Sequence, residues 1–420
     1  MTEQPTDKVA SFFEQPNVRM RHLPIQGNLV PLGIQQVFNP QVGIGGAFGT
    51  WGECYDNEAL QALIERRLGE PLLPEERMDL SSLGFYYRHH LDRLPFEQHV
   101  DLEVEVGSYL LRDAAAACGW QPSEVDAVMI GVSGPVAPDF TERISRAAGI
   151  PEGALKVSIH KACDGSASAL HLALNPELGF HEGLSRNLVD ELRGKKVLVG
   201  GIEGLSRFIA FSQDKNALQF FGNGAGVVGL IPGESMELLA GKSHEVYDEE
   251  GVLAVRMFYP HSGHRHFDHT NIEVSQAGEN VIRVAGLMHE PANGKPIAMA
   301  GMMGMVKLFV RSGVQVVRDV YGRYSAIMER RGRSNQSIRF AVMHHANLKI
   351  NQLKAKHLKN EGIPVEAPWV LREFGNVSAA SVTMAFLRQL PHMHPGDHVL
   401  IDGFGAGTYY DAMIVAVGEG

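Results

Sequence analysis

The chain is expected to fold as an α/β protein, and three observations lead there. Short apolar, strand-like stretches alternate with longer helix-prone ones through residues 41–240. The strand-like run Leu155 to Ile159 feeds the helix-prone run Ser166 to Leu174. A second strand-like run, Ile338 to Met343, ends at a histidine pair and is followed by another helical stretch.

Residues 1–40 lack a clear period and hold Pro5, Pro16, Pro24, Pro31 and Pro40, so they are read as an extended N-terminal arm on the body or on a partner subunit. Residues 41–240 form a first half: Ala127 to Val132 and Val197 to Gly201 are buried strands, and Asp101 to Cys118 and Phe140 to Ala148 are helices. Residues 241–420 form a second half. Its first part, 241–300, is strand-rich and polar, with His261, His264, His266 and His269. These histidines are read as a solvated loop or tunnel rim rather than a metal site, because no cysteine or tight carboxylate set joins them. Met302 to Arg331 is helical: Val306, Phe309, Val310, Val317, Val320, Tyr321 and Tyr324 give an apolar stripe. No close sequence repeat joins the halves.

Composition bounds the function. Of 420 residues 44% are hydrophobic and 20% charged, as in a globular enzyme, and the net charge of −10 argues against general nucleic-acid binding. No apolar run reaches the length of a membrane span, and Met1 to Arg21 shows no secretory pattern. Cys54, Cys118 and Cys163 are scattered and odd in number, which argues against a disulfide framework or zinc site and for a reducing cytoplasm.

Cys163 is the most informative residue. It lies at a strand-to-helix turn in His160-Lys161-Ala162-Cys163-Asp164-Gly165-Ser166-Ala167. Free N–H groups and the helix dipole favour a thiolate there, and the small residues that follow leave room for a substrate. The alternative is a buried, inert cysteine. Two later segments favour chemistry: His344-His345-Ala346-Asn347-Leu348-Lys349-Ile350 and Gly375-Asn376-Val377-Ser378-Ala379-Ala380-Ser381. Cys, His and Asn at element ends indicate covalent thiol chemistry with an imidazole and an amide as hydrogen-bonding partners.

With Ala162-Cys163-Asp164-Gly165, these segments and the glycine-rich pieces Phe221-Gly222-Asn223-Gly224-Ala225-Gly226 and Phe404-Gly405-Ala406-Gly407 resemble the β-ketoacyl-ACP synthase III branch of the thiolase superfamily, in order and rough spacing. The resemblance implies a thiolase-like five-layer αβαβα fold made of two similar halves, and a homodimer. It implies no cofactor beyond the phosphopantetheine of CoA or acyl carrier protein, and these two as partners. Cys163 would accept an acyl group, with its own N–H and that of Ala406 as the oxyanion hole. His344 and Asn376 would stabilise the enolate left by a decarboxylating extender. His345, where the family usually has glutamine, is given a structural role.

Further expectations follow from the same resemblance. Asn347 steadies the site or the pantetheine arm. Lys349, Lys354, Lys356 and Lys359, with His357, form a basic helix that is either a solvated face or a dock for acidic carrier protein. Lys215 keeps one basic contact, whereas a tryptophan to stack on CoA adenine has no secure match. Ala137, in Gly131 to Pro138, stands where the gate residue is often large, which implies a wider acyl tunnel. Met299, Met302, Met303 and Met305 either line that space or pack in the core. Asn223 replaces the usual Asp of its segment, which is neither a phosphate loop nor a dinucleotide fingerprint.

The expected reaction is acyl transfer to Cys163 followed by decarboxylative Claisen condensation. The runner-up joins two acyl chains and needs another carboxylate, for which Asp139 and Glu142 are candidates. A degradative thiolase would need a second cysteine near the C-terminal glycine turn. A non-catalytic scaffold would not be expected to keep Cys163, His344 and Asn376, and a Cys–His–Asn protease fits the organisation poorly.

Overall fold

The computed structural model describes residues 9–25, 27–92, 94–133, 136–179, 186–209, 214–245, 272–286, 302–363, 365–405 and 409–418. Fifteen strands are found among them: β1 (Arg19–Ile25), β2 (Asn28–Asn39), β3 (Ile44–Trp51), β4 (Glu53–Asp56), β5 (Tyr87–His90), β6 (Ala127–Val132), β7 (Leu155–His160), β8 (Val197–Glu203), β9 (Gly224–Leu230), β10 (Met236–Glu245), β11 (Ile272–Gly278), β12 (Val281–Gly286), β13 (Ile338–Met343), β14 (Asp397–Gly405) and β15 (Tyr409–Val417). A nine-stranded sheet runs β1-β2-β3-β9-β8-β6-β7-β12-β11, a four-stranded sheet runs β10-β15-β14-β13, and β4 pairs with β5. Strands β6, β7 and β8 are parallel neighbours and buried along their whole length, as strands covered on both faces must be.

Two buried helices fill the space between the sheets, Gly165–Leu174 and Ser381–Gln389. The first has all ten residues buried and packs on β6 and β8 on one side and on β14 and β15 on the other. Helices Phe96–Ala117 and Phe140–Ala148 cover the outer face of the first sheet, and Met302–Arg330 and Leu348–Asn360 cover the second. The layers are therefore αβαβα. Both central helices begin the same way, with a 3-10 turn (Ala162–Asp164 and Ser378–Ala380) led by a residue of positive φ, Ala162 at 50° and Ser378 at 46°. This shared entry marks the two halves as similar.

Three boundaries differ from the sequence reading. Residues 19–39 are not an extended arm: β1 and β2 form an antiparallel hairpin on the edge of the large sheet. The prolines fit because β1 is the edge strand and Pro31 lies where β2 pairs with it. The halves do not divide cleanly at 240, since β11 and β12 join the first sheet through β7, whereas β10 joins the second through β15. The helix expected from Asp101 begins at Phe96. The histidine cluster 261–269 and Met299 lie outside the described residues. No helix among the described residues is long and apolar enough to cross a membrane.

Candidate active site

β7 delivers Cys163 to the start of the buried helix. Close packing fixes its place: a Cβ on Gly131, at the end of β6, would lie 2.3 Å from the Gly165 carbonyl carbon. On the other side a Cβ on Gly405 would lie 2.9 Å from the backbone N of both Cys163 and Asp164. The nucleophile turn is thus wedged between two strand ends that tolerate glycine alone. All three cysteines are half-buried, and desolvation pushes the Cys54 and Cys118 thiols up to about 12. Cys54 lies in a strand and Cys118 at a helix C-terminus, so Cys163 alone of the three sits at a helix N-terminus.

The Asn376 turn meets it from the second half. Gly375, at φ 75°, has a Cβ position only 2.3 Å from Arg88 Cδ, so no other residue fits. Asn376 bridges to Phe221, its N–H donating to the Phe220 carbonyl at 3.0 Å and its carbonyl accepting from Gly222 N at 3.2 Å. The glycine-rich segment 221–226 is therefore a shelf for this turn. Its Asn223 is fully buried and bonded to Trp51, Thr50, His89 and Ser206, a structural post. Asn376 Oδ1 accepts from Ser378 N at 2.8 Å, which leaves the Nδ2 amide as the group able to donate to a substrate. Ser378 Oγ lies 3.1 Å from Cys163 Sγ.

His344 follows β13. Its N–H donates to the Asp402 carbonyl at 2.9 Å, and its ring meets the Phe404 ring edge-on at 5.1 Å. Phe404 precedes Gly405, so β14 joins the histidine to the Cys163 turn. Burial first, then His345 and Lys354, push the His344 imidazole down to about 3, so the ring is neutral. Nδ1 is buried without a hydrogen-bond partner among the described residues, so a proton on Nε2 leaves no buried N–H unmatched. A neutral ring that donates from Nε2 can bind an oxyanion without protonating a carbanion. His345 stacks on Trp369 at 4.3 Å and hydrogen-bonds Met343 O and Val370 N, as a structural residue.

Beneath the nucleophile lies a buried ionic cluster that sequence reading missed. Lys161 pairs with Asp411 and, at 3.2 Å, with Asp164. Asp411 also binds His171 at 2.6 Å, and His171 reaches Asn175. Burial and the Asp411 charge hold the Asp164 carboxyl well above its usual range, whereas Lys161 and His171 hold Asp411 low. Lys161 and Asp164 flank Cys163 in sequence, which is the signal that could have revealed the cluster; Asp411 had none. Glu203, at the end of β8, accepts from Ser133 Oγ at 2.9 Å and from Ala379 N at 3.1 Å, and burial raises it to about 8.

Residues 328–417 match the family described as 3-oxoacyl-[acyl-carrier-protein (ACP)] synthase III C terminal. Over 329 residues the chain is 26% identical to the β-ketoacyl-[acyl-carrier-protein] synthase III of Brucella suis, covering 76% of this chain and 87% of that one. The solved 3-oxoacyl-[acyl-carrier-protein] synthase III of Aquifex aeolicus superposes with a TM-score of 0.59 at 17% identity, covering 95% of this chain and 99% of that one. The type III polyketide synthase that makes 1,3,6,8-tetrahydroxynaphthalene in Streptomyces coelicolor shares the fold, with a TM-score of 0.59 at 14% identity over 88% and 97% of the two chains.

The chain resembles the β-ketoacyl-ACP synthase III condensing enzymes, and its residues 328–417 match that family's C-terminal region.

In this synthase III-like chain the remaining expected residues fall in different places. Ala406 lies outside the described residues. Asn347 is buried and caps the helix Leu348–Asn360, its side chain accepting from Ile350 N at 2.9 Å. Lys349 and Lys356 are exposed on that helix, as is Lys359. Lys354 is not a docking residue. Its ammonium is fully buried, 2.5 Å from Asp402 Oδ2 and 4.6 Å above the Phe404 ring. The helical period explains the split: at about 100° per residue, Lys349, Lys356 and Lys359 share an arc of about 80°, and Lys354 points about 140° from Lys349. Lys215 bonds Glu70 and Glu76, each at 2.9 Å, so its charge is already answered. Ala137 lies in the connection from β6 to the helix Phe140–Ala148, partly buried against the hydrophobic core that includes Phe140 and Ile144. Glu142 is held by Arg283 at 3.0 Å, which removes it as a free base, and Asp139 stands at the start of the same helix.

Proposed function

We propose that the chain forms a carbon–carbon bond by Claisen condensation between an acyl group held on Cys163 and a malonyl-type or acyl thioester carried by acyl carrier protein or CoA. The observation that carries this reading is the half-buried Cys163 at a helix start, facing the Asn376 turn, with a neutral His344 packed on Phe404, next to the Gly405 that abuts the Cys163 turn.

In the first step the Cys163 sulfur attacks the primer thioester. The donor C–S bond breaks and the donor thiol leaves with the proton that Cys163 gave up. The Cys163 N–H donates to the oxyanion. In the second step the extender loses CO₂. The electron pair of the broken C–C bond becomes an enolate, whose oxygen accepts hydrogen bonds from His344 Nε2 and Asn376 Nδ2. The enolate carbon attacks the Cys163 thioester, and the cysteine leaves as thiolate. Lys349, Lys356 and Lys359 form the dock for an acidic carrier, and a homodimer belongs to the same proposal. The reading in which two acyl chains are joined loses support, because Glu142 is engaged with Arg283.

Intact-protein mass after incubation with acyl-CoA or acyl carrier protein tests this. An acyl adduct is expected on the parent and absent from Cys163→Ala. An adduct that persists in the variant would overturn the assignment.

A further inference from the structure

We propose that Ser378 is a further catalytic residue, whose hydroxyl donates a hydrogen bond to Cys163 Sγ and stabilises the thiolate each time it forms. The proposal deepens the reading of Cys163 as acyl acceptor and rests on it.

The contact itself is short: Ser378 Oγ is 3.1 Å from Cys163 Sγ, and Ser378 is almost wholly buried. A thiolate can only accept, so in the ionised state the hydroxyl is the donor. Two nearby basic groups, Lys161 and His344, are engaged otherwise. Lys161, two residues away in sequence, is paired with Asp411 and Asp164 and hydrogen-bonded to Ser168. His344 is held neutral by burial. Among the described residues, the helix N-terminus and this hydroxyl are both placed to serve the thiolate directly.

The hydroxyl is also held in place before any substrate arrives. Ser378 occupies the left-handed region at φ 46°, and its N–H is tied to Asn376 Oδ1 at 2.8 Å. The next residue, Ala379, donates to buried Glu203 at 3.1 Å. Ser381 Oγ accepts from His345 N at 2.7 Å. With the backbone pinned on both sides, only the Cα–Cβ torsion is left to set. A non-glycine residue in this conformation is a strained one, and strain of this kind persists where the surroundings impose it. The facing residue Ala162, next to Cys163, is strained in the same sense at φ 50°.

One hydrogen bond would then act twice. In loading, it lowers the cost of the thiolate that attacks the primer. In condensation, the C–S bond to the acyl group breaks and its electron pair returns to Sγ, where the same hydroxyl receives it. A hydroxyl suits this place better than an imidazolium, because it is too weak an acid to quench the enolate beside it.

The test is the pH profile of Cys163 alkylation by iodoacetamide in the parent, Ser378→Ala and Ser378→Gly, with acyl loading followed by mass. Burial raises the Cys54 and Cys118 thiols to about 12, and peptide mapping of the alkylated protein assigns the signal to Cys163. Glycine relieves the left-handed backbone and alanine does not, so the two variants separate the hydroxyl from the strain. Both are expected to move the alkylation midpoint up by about one unit, the size of a hydrogen bond to a charged group. Both are expected to load acyl groups about tenfold more slowly at pH 7 and to recover as pH rises. An unmoved midpoint in both variants would overturn the proposal, as would a shift in alanine that glycine lacks. Alkylation needs no acyl donor: a parent that alkylates with a normal Ser378 dependence yet never loads would refute the condensation reading and leave the contact standing.

Discussion

Lys354 Nζ lies 2.5 Å from Asp402 Oδ2, both side chains are out of solvent, and the pair backs directly onto His344 through the Asp402 carbonyl. Two charges removed from water are tolerable only together, and loss of one strands the other. Lys354→Met is therefore expected to cost about 3–5 kcal/mol of stability. Denaturant unfolding measures it. Lys354→Met combined with Asp402→Asn removes both charges and is expected to restore most of the loss. A single variant as stable as the parent would show that the pair does not form.

His344→Ala and Asn376→Ala should separate the two half-reactions. Both are expected to accept an acyl group on Cys163 and to lose condensation by about 10²-fold, the scale of a lost oxyanion donor. In the parent, the condensation step from pre-loaded enzyme should stay flat from pH 8 to pH 5, because the His344 imidazole, pushed down to about 3, does not titrate there. Rapid-quench product analysis reads both. A rate that falls with a midpoint near 6.5 would mean that the imidazole is ionising normally.

Charge reversal on one helix face tests carrier docking. Lys349→Glu, Lys356→Glu and Lys359→Glu together remove the exposed arc, and KM for an acyl carrier protein donor is expected to rise about tenfold or more while kcat holds. The effect should shrink as salt is added. If the triple variant leaves KM unchanged at low salt, the face is merely solvated.

Glu203 carries a pH signature of its own. Burial raises its folded-state pKa to about 8, whereas the unfolded carboxyl titrates near 4.3. Between those values the folded state holds the extra proton, so its contribution to stability falls as pH rises from about 4.3 to about 8. Glu203→Gln removes this penalty. The variant should match the parent near pH 4.5 and exceed it in Tm by a margin that grows up to about pH 8. A constant difference in Tm across that range would place the carboxyl's titration at its ordinary value.

The sequence by itself determined what is local. Cys163 on a strand-to-helix turn, the β13-to-His344 junction and the Gly375–Asn376 turn each depend on a few consecutive residues. Their conformations are set by strand and helix period and by glycine, and the structure brings these turns together. The order of the motifs also carried the fold, because it sets the two central helices, buried along almost their whole length, between the sheets.

Tertiary structure alone decided what lies across the molecule. It paired Lys161 with Asp411 and Lys354 with Asp402, partners that no local pattern links. It turned Lys354 inward although its neighbours face water, and it zipped residues 19–39 onto a sheet edge where isolated proline spacing had read as an arm. It also set Ser378 against the thiol. The physical reason is common to all four. A buried charge, an edge strand or a hydroxyl in a left-handed turn is stabilised by whatever packs against it, and that partner is chosen by the fold rather than by neighbours in sequence.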